Sequence, residues 1–446
     1  MKKFSFVISA ILAVVLFVFV LVPILEHQQE AGPTELPVLI PPTTSPSSPL
    51  TMGGDAKFYS DYDTLWSIIE TEYPFLTVAG RVTGKDFVSI KNEYRAKLID
   101  VNTTDQFYSD IIVPCLNEFA YTGHLTTITS EAYEQRYRNL QQQMERGDIT
   151  SYGKMNWEQM NTPAAREFYG GLPADSLSSG AAVEYGVHLS FPDSDSVSAN
   201  LELDVYPSYS TAYISIKSMT SFDENNDDAV LESFFIWIEE NNYEHCIIDI
   251  QENSGGNDGY WMLNLVRSNL KGPLSYQYYA LMKGEQSQQY VEAYNTPVYP
   301  ISELPLDKFP NINKQDLEDA SHFATSTVTT DHMGRRIDDP YEPLFSGEFW
   351  LLVGPKVYSS SDSFAQFCKE TGFAKLVGAA TGGDGMGLAP KVFALPETGI
   401  CIQYSTMGAL NSDGSNNEEV GTIPDVLVPP GKDSFQYCLS EIYALD

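Results

Sequence analysis

The chain has 446 residues, with 26 Lys and Arg against 60 Asp and Glu, and a formal net charge of −34 at pH 7. A hydrophobic share of 43% is enough for a sizeable core and excludes wholesale disorder, while so acidic a chain is repelled by phosphate backbones, which speaks against nucleic-acid partners. The five cysteines (Cys115, Cys246, Cys368, Cys401, Cys438) form no CxxC pair, so no zinc ribbon or disulfide framework is signalled.

Met1-Lys-Lys precedes a run from Phe4 to Leu25 that contains no charged residue. At 1.5 Å per residue the run spans roughly 33 Å as a helix, enough to cross a hydrocarbon core. It is longer than a signal-peptide apolar core and has no small-x-small site at its end, which predicts an uncleaved anchor within residues 1–30. Secretion after cleavage is the alternative. The two leading lysines place the amino terminus in the cytoplasm and the bulk of the chain outside. Residues 31–54 are rich in Pro, Ser and Thr and read as a semi-extended tether.

Residues 55–150 read as a helical unit. Leu65, Trp66, Ile69 and Tyr73 recur at helical spacing after Asp61, and Pro74 stops the pattern. A second helix is expected over Lys85–Leu98 and a third from about Thr104, with Pro114 kinking or ending it. Polar helical text follows from Glu131 to about Ser151, and residues 151–205 form a poorly informative connection. The acidic stretches around Asp193–Asp195 and Asp223–Asp228 lack the glycine and terminal glutamate of a calcium loop, so they are expected to be solvated turns.

Residues 206–446 alternate strand and helix, the pattern of an α/β core with parallel strands. Strands are expected at Ala212–Ile216, Cys246–Ile250, Phe349–Val353 and Lys375–Val377, and a hairpin over 392–404. Helices are expected at Ala229–Glu239, Tyr260–Leu270 and Ser361–Glu370. The stretch from about Lys271 to Gly347 reads as a long, aromatic, irregular insertion, expected to be a lid or a substrate-facing element.

Functional groups of such sheets gather at the carboxyl ends of the strands. Two strand-to-helix turns stand out there. In Asn253-Ser-Gly-Gly256, adjacent glycines leave backbone N–H groups unobstructed, as an oxyanion site requires. In Tyr358-Ser-Ser-Ser-Asp362, serines fall just before a helix amino terminus, where a nucleophile is well placed, although helix capping also explains them. Among the six histidines, His124 in a Gly-His turn after the helical unit is the best-placed base.

Seven pieces resemble, in order, the tail-specific (C-terminal-processing) and tricorn-core family of serine peptidases. They are Tyr73-Pro74, Gly123-His-Leu-Thr126, Tyr213-Ile-Ser-Ile216, Ile247 to Gly256, Tyr358 to Ala365, Leu376-Val-Gly378 with Thr381-Gly-Gly383, and Gly421-Thr-Ile-Pro-Asp425. The resemblance implies a crotonase/ClpP-like α/β core with an amino-terminal helical unit. It also implies Ser359 as nucleophile, with Ser360 and a glycine of Gly255-Gly256 as oxyanion donors. One branch of the family pairs its serine with a lysine, but Asp384 stands at that position here and cannot act as a neutral amine. The tricorn-like branch uses a histidine and a late glutamate, which fall on His124 and on Glu418, with Glu419 as the alternative. No PDZ-like Gly-Leu-Gly pattern occurs in 130–210.

The expected function is a membrane-anchored, extracytoplasmic serine endopeptidase that cuts unfolded proteins or protein tails through a Ser359–His124–Glu418 acyl-enzyme mechanism, without metal or organic cofactor. Two alternatives remain: a non-catalytic relative that binds apolar ligands or peptides, and serine–lysine catalysis through Lys356, Lys375 or Lys391.

Overall fold

The computed structural model describes residues 55–170, 199–219, 226–330 and 341–443. The expected anchor and tether and the Asp193–Asp195 turn lie outside these segments. Among the described residues no helix is long and apolar enough to cross a membrane.

The central sheet has six strands in the order β13-β9-β8-β4-β3-β2. They are β2 (Leu201–Tyr206), β3 (Thr211–Ile216), β4 (His245–Asp249), β8 (Glu348–Val353), β9 (Ala374–Gly378) and β13 (Val426–Leu427). All neighbours are parallel except β2 against β3. The apolar runs of β4 and β8 are continuous because both faces of the sheet are covered. Cys246, Ile248, Leu351, Val353 and Leu376 pack under the helices Asp227–Glu240 and Ser360–Thr371. The intervening Ile247, Trp350, Leu352 and Val377 meet Cys438 and Leu439 of the carboxyl-terminal helix Ser434–Tyr443.

Two differences from the sequence expectation have physical causes. The described residues within 271–347 are not irregular: β5 (Ser275–Met282), β6 (Val298–Pro300) and β7 (His322–Thr329) form an antiparallel sheet with β12 (Gly408–Leu410), in the order β12-β5-β7-β6. Its partners lie far apart in the chain, so no local pattern announces the pairing. Asp227, expected in a solvated turn, is fully buried and accepts hydrogen bonds from Tyr260 Oη and Asn200 Nδ2, both at 2.7 Å.

The helical unit opens with Ala56–Thr71, Leu76–Thr83 and Phe87–Lys97, the first and third capped by Asp55 and Asp86. Between Thr104 and Asn117 the chain stays helical through Pro114, with a wider π turn over Phe107–Ile112 just before it. The unit does not close its own core. Tyr62, Trp66, Ile69 and Phe119 share one cluster with Phe393, Leu395, Ile400, Ile402 and Tyr404 of the hairpin β10 (Lys391–Ala394) and β11 (Cys401–Tyr404). The short strand β1 (Thr126–Thr127) then adds to β11, pairing Thr126 with Gln403. Asp61, buried at the seam, accepts the N–H groups of Glu397 and Thr398 at the hairpin turn.

Candidate active site

Ser359 ends the turn after β8 and precedes the first residue of the Ser360–Thr371 helix. Its backbone has φ 56° and ψ −127°, a conformation that side-chain-bearing residues rarely hold. The turn is kept by Ser359 N–H donating to Gly383 O at 3.0 Å and by Ser363 N–H donating to Ser359 O at 2.8 Å. Ser359 makes no side-chain cap, so its hydroxyl is not spent on the helix.

The glycine turn abuts this elbow. A Cβ on Gly255 would lie 3.0 Å from Ser359 Cβ and 3.1 Å from Ser360 N, and one on Gly256 would lie 2.0 Å from Met219 O. Both glycines have positive φ, so this approach needs their missing side chains. The predicted donors divide. Gly255 N–H is taken by Asn253 Oδ1 at 3.0 Å, so Gly255 is not an oxyanion donor; its part is the room it leaves. The N–H groups of Gly256 and Ser360 have no acceptor among the described residues. Asn253, fully buried, joins the two turns: it also accepts Ser361 Oγ at 2.6 Å and donates to Ile216 O at 3.0 Å.

His124 sits in a turn where Ala120, Tyr121, Gly123 and His124 all have left-handed φ. Such a run is costly and persists only where the surroundings fix it. Phe75 packs under Gly123, where a Cβ would come 2.3 Å from its ring. Gly123 N–H donates to Glu418 Oε1 at 2.8 Å, and Gly123 O accepts Ser405 N–H at 2.8 Å. The imidazole lies against Tyr121 and Tyr358, with ring centroids 5.4 and 5.0 Å away. Tyr358 is the residue before Ser359. Ser359 Oγ and the imidazole are not hydrogen-bonded to each other in this structure.

The imidazole's carboxylate partner is Asp384, not Glu418. His124 Nδ1 is 2.5 Å from Asp384 Oδ2 and 3.1 Å from Ser405 Oγ, and Ser405 Oγ reaches Asp384 Oδ2 at 3.3 Å. Glu418 is turned instead to the backbone of Gly123 and to Tyr358 Oη, which donates to both its oxygens at 3.2 Å. The short helix Asn417–Val420 presents it there. Burial, helped by the charge of Asp384, pushes the Glu418 carboxyl well above its usual range. Glu419 is spent elsewhere, on Arg81, which also holds Asp316.

Asp384 is itself left-handed, as is Met386, and Gly385 N–H between them donates to Asp362 Oδ2 at 3.0 Å and to Asn417 Oδ1 at 2.9 Å. Asp362 is fully buried, and desolvation raises its carboxyl to about 6. None of the lysines weighed for catalysis meets Ser359. Lys356 pairs with Glu252, Lys375 lies 4.8 Å above the Trp350 ring, and Lys391 donates to Gln286 Oε1 at 3.1 Å. Sequence spacing did not point to Asp384, Asn253, Tyr358 or Ser405 in these positions. The clearest available signal was a carboxylate directly after Thr381-Gly-Gly383.

A cavity of about 490 Å³ opens beside these groups, lined by Ser359, Ser360, Gly256 and Asp384 and roofed by the helices Ser130–Arg146 and Ser151–Met160. A strained hydroxyl, two free N–H groups beside it and a carboxylate-held imidazole are what acyl transfer needs.

No curated protein matches this chain. Several solved structures resemble it, among them the following three. A lipoprotein from Streptococcus agalactiae is 12% identical, with 91% of this chain and 99% of that one covered and a TM-score of 0.43. Mature CPAF complexed with lactacystin is 13% identical, over 86% and 96% of the two chains, with a TM-score of 0.49. The photosystem II D1 C-terminal processing protease is 13% identical, over 84% and 94%, with a TM-score of 0.39. Residues 210–428, which contain both turns and the two carboxylates but not His124, match the model of peptidase family S41. Through this core the chain belongs to peptidase family S41 and is a serine peptidase.

Proposed function

We propose that the protein hydrolyses peptide bonds through Ser359, with His124 as general base and Asp384 as the carboxylate that orients it. The contact between His124 Nδ1 and Asp384 Oδ2 at 2.5 Å carries this reading. An Nδ1–H that donates to Asp384 leaves Nε2 unprotonated and free to take a proton. His124 Nε2 removes the Ser359 proton as Oγ attacks the carbonyl carbon, and the N–H groups of Ser360 and Gly256 receive the oxyanion. The imidazolium then protonates the leaving amine, and water repeats the sequence on the acyl-enzyme. Glu418 acts one step back, holding the Gly123–His124 turn and Tyr358 in place.

The finer reading is an endopeptidase acting on unfolded segments or protein tails outside the cytoplasm, tethered by the apolar run Phe4–Leu25. The length of that run and the two lysines before it support this placement. Recovery of the full chain from the soluble cytoplasmic fraction would overturn it.

A second reading, peptide binding without hydrolysis, takes support from the missing hydrogen bond between Ser359 and His124, since proton transfer needs a contact of about 2.6–3.2 Å. A serine-reactive fluorophosphonate decides between them. Labelling of the native chain, absent in Ser359→Ala and strongly slowed in His124→Ala, with loss of casein cleavage in both, is expected. Undiminished labelling or cleavage in His124→Ala would defeat the mechanism.

A further inference from the structure

Arg136 lies on the Ser130–Arg146 helix and faces the same cavity as Ser359. In a chain with more than twice as many acids as bases, arginines find carboxylates easily. Arg81 meets Asp316 and Glu419, Arg95 meets Asp63, Arg138 meets Glu134, and Arg146 meets Asp148. Arg136 meets none among the described residues. Its one hydrogen bond among the described residues runs from Nη1 to Gln403 Oε1 at 2.7 Å, and the ionisable groups that act on it are the phenols of Tyr121 and Tyr290, which are uncharged near neutral pH. A guanidinium has five N–H donors in a planar fork, so four remain for an incoming group. Burial lowers its pKa, which measures the cost of leaving the cation without a counter-charge.

The other charged groups of the cavity are engaged. Arg146 and Asp148 pair with each other, Asp384 is held by His124, and Asp258 accepts Trp261 Nε1 at 3.1 Å. Among the described residues Arg136 is therefore the cation in this cavity without a carboxylate partner, and the proposed nucleophile opens into the same space. A planar guanidinium with a free fork suits a carboxylate, which it can hold through two parallel hydrogen bonds.

We infer that Arg136 is a specificity-determining residue that binds a carboxylate of the peptide substrate, supplied by an Asp or Glu side chain or by a free carboxyl terminus. Gln403 fixes the guanidinium from β11, the strand that also carries β1, so the cation and the catalytic turn share one support. The inference rests on Ser359 as the nucleophile only in that it makes the cavity a substrate cavity.

The test measures binding apart from catalysis. The full chain carrying Ser359→Ala is titrated, by fluorescence anisotropy, with three peptides of one length: neutral with an amidated terminus, the same with one internal Glu, and the neutral one with a free carboxylate. At least one acidic peptide is expected to bind about tenfold or more tightly than the neutral amide. Adding Arg136→Gln is expected to bring that ratio near one, and adding Arg136→Lys to keep part of it. Preference for the internal Glu peptide assigns the side chain as the source, and preference for the free acid assigns the terminus. A ratio near one in the parent chain, or one that survives Arg136→Gln, overturns the inference. If Arg136→Gln does not fold, the parent ratio and the Arg136→Lys ratio decide, and equal weakening of all three peptides by Arg136→Lys counts against it. Fluorophosphonate labelling of the native chain separates the two claims. Labelling without carboxylate preference sinks this inference alone, and preference without labelling sinks the nucleophile assignment alone.

Discussion

The proposed nucleophile and the proposed base are held by different kinds of structure. Ser359 and the Gly255–Gly256 turn are placed by the ends of adjacent parallel strands and joined by one buried side chain, Asn253. His124 stands on a helical unit that supports its turn only in part, through Phe75 under Gly123 and Tyr73 Oη on Thr122 O at 2.6 Å. Its turn is gripped by Glu418, 295 residues away, by Asp384, and by the backbone of Ser405. Neighbouring strand ends of one sheet thus make the half of the site that must be rigid, while contacts between the helical unit and later parts of the core make the half that must arrive correctly.

The sharpest way to break that contrast is at the link between the halves. Asp384→Asn keeps the shape but favours the wrong imidazole tautomer, and kcat is expected to fall roughly 10³- to 10⁴-fold with fluorophosphonate labelling slowed in parallel. A fall below about tenfold would return the orienting role to Glu418. Gly123→Ala strikes only the base side. Its Cβ would press into the Phe75 ring from a left-handed backbone, so an unfolding free energy lower by about 3 kcal/mol is expected, read from denaturant midpoints.

On the nucleophile side, Asp362 makes stability depend on pH. Its carboxyl is at about 6 when folded, against 3.8 as the reference value, so the folded chain binds the proton more tightly than the unfolded chain. Its contribution is fully present below about pH 4 and is lost as pH rises through about 6, a decline on the order of 3 kcal/mol. Asp362→Asn is expected to flatten the stability profile over that window, and an unchanged slope would refute the assignment. The smallest effect is expected from Glu418→Gln. The amide oxygen can still accept Gly123 N–H, so the loss is about one hydrogen bond and no more than about tenfold in kcat/KM.

How much of this was legible in the sequence follows the same division. The buried runs of β4 and β8, the Gly-Gly turn and the serine cluster are local patterns, and the structure places them together as read. The base-side support was legible only in part. Glu418 was found through its place before Gly421-Thr-Ile-Pro-Asp425 and does meet the His124 turn, but at Gly123 N–H rather than at the ring. Asp384 was noticed for the lysine it replaces, and its own partner lies too far along the chain for spacing to reveal. The insertion sheet was missed for a related reason, since β12, which closes one edge, comes more than a hundred residues after β5.

The pairing of β1 with β11 carries a consequence for how this peptidase comes into being. Chains emerge from the ribosome amino end first, and His124 is made long before the hairpin, Ser405 and Glu418 that hold its turn. A nascent chain stopped after the Ser359 elbow already owns the proposed attacking hydroxyl but lacks Asp384, Ser405 and Glu418, which hold the imidazole and its turn. On the proposed mechanism, catalytic competence therefore waits until Asp384, Ser405 and Glu418 have been made, which would spare the half-made enzyme and its neighbours from premature cutting.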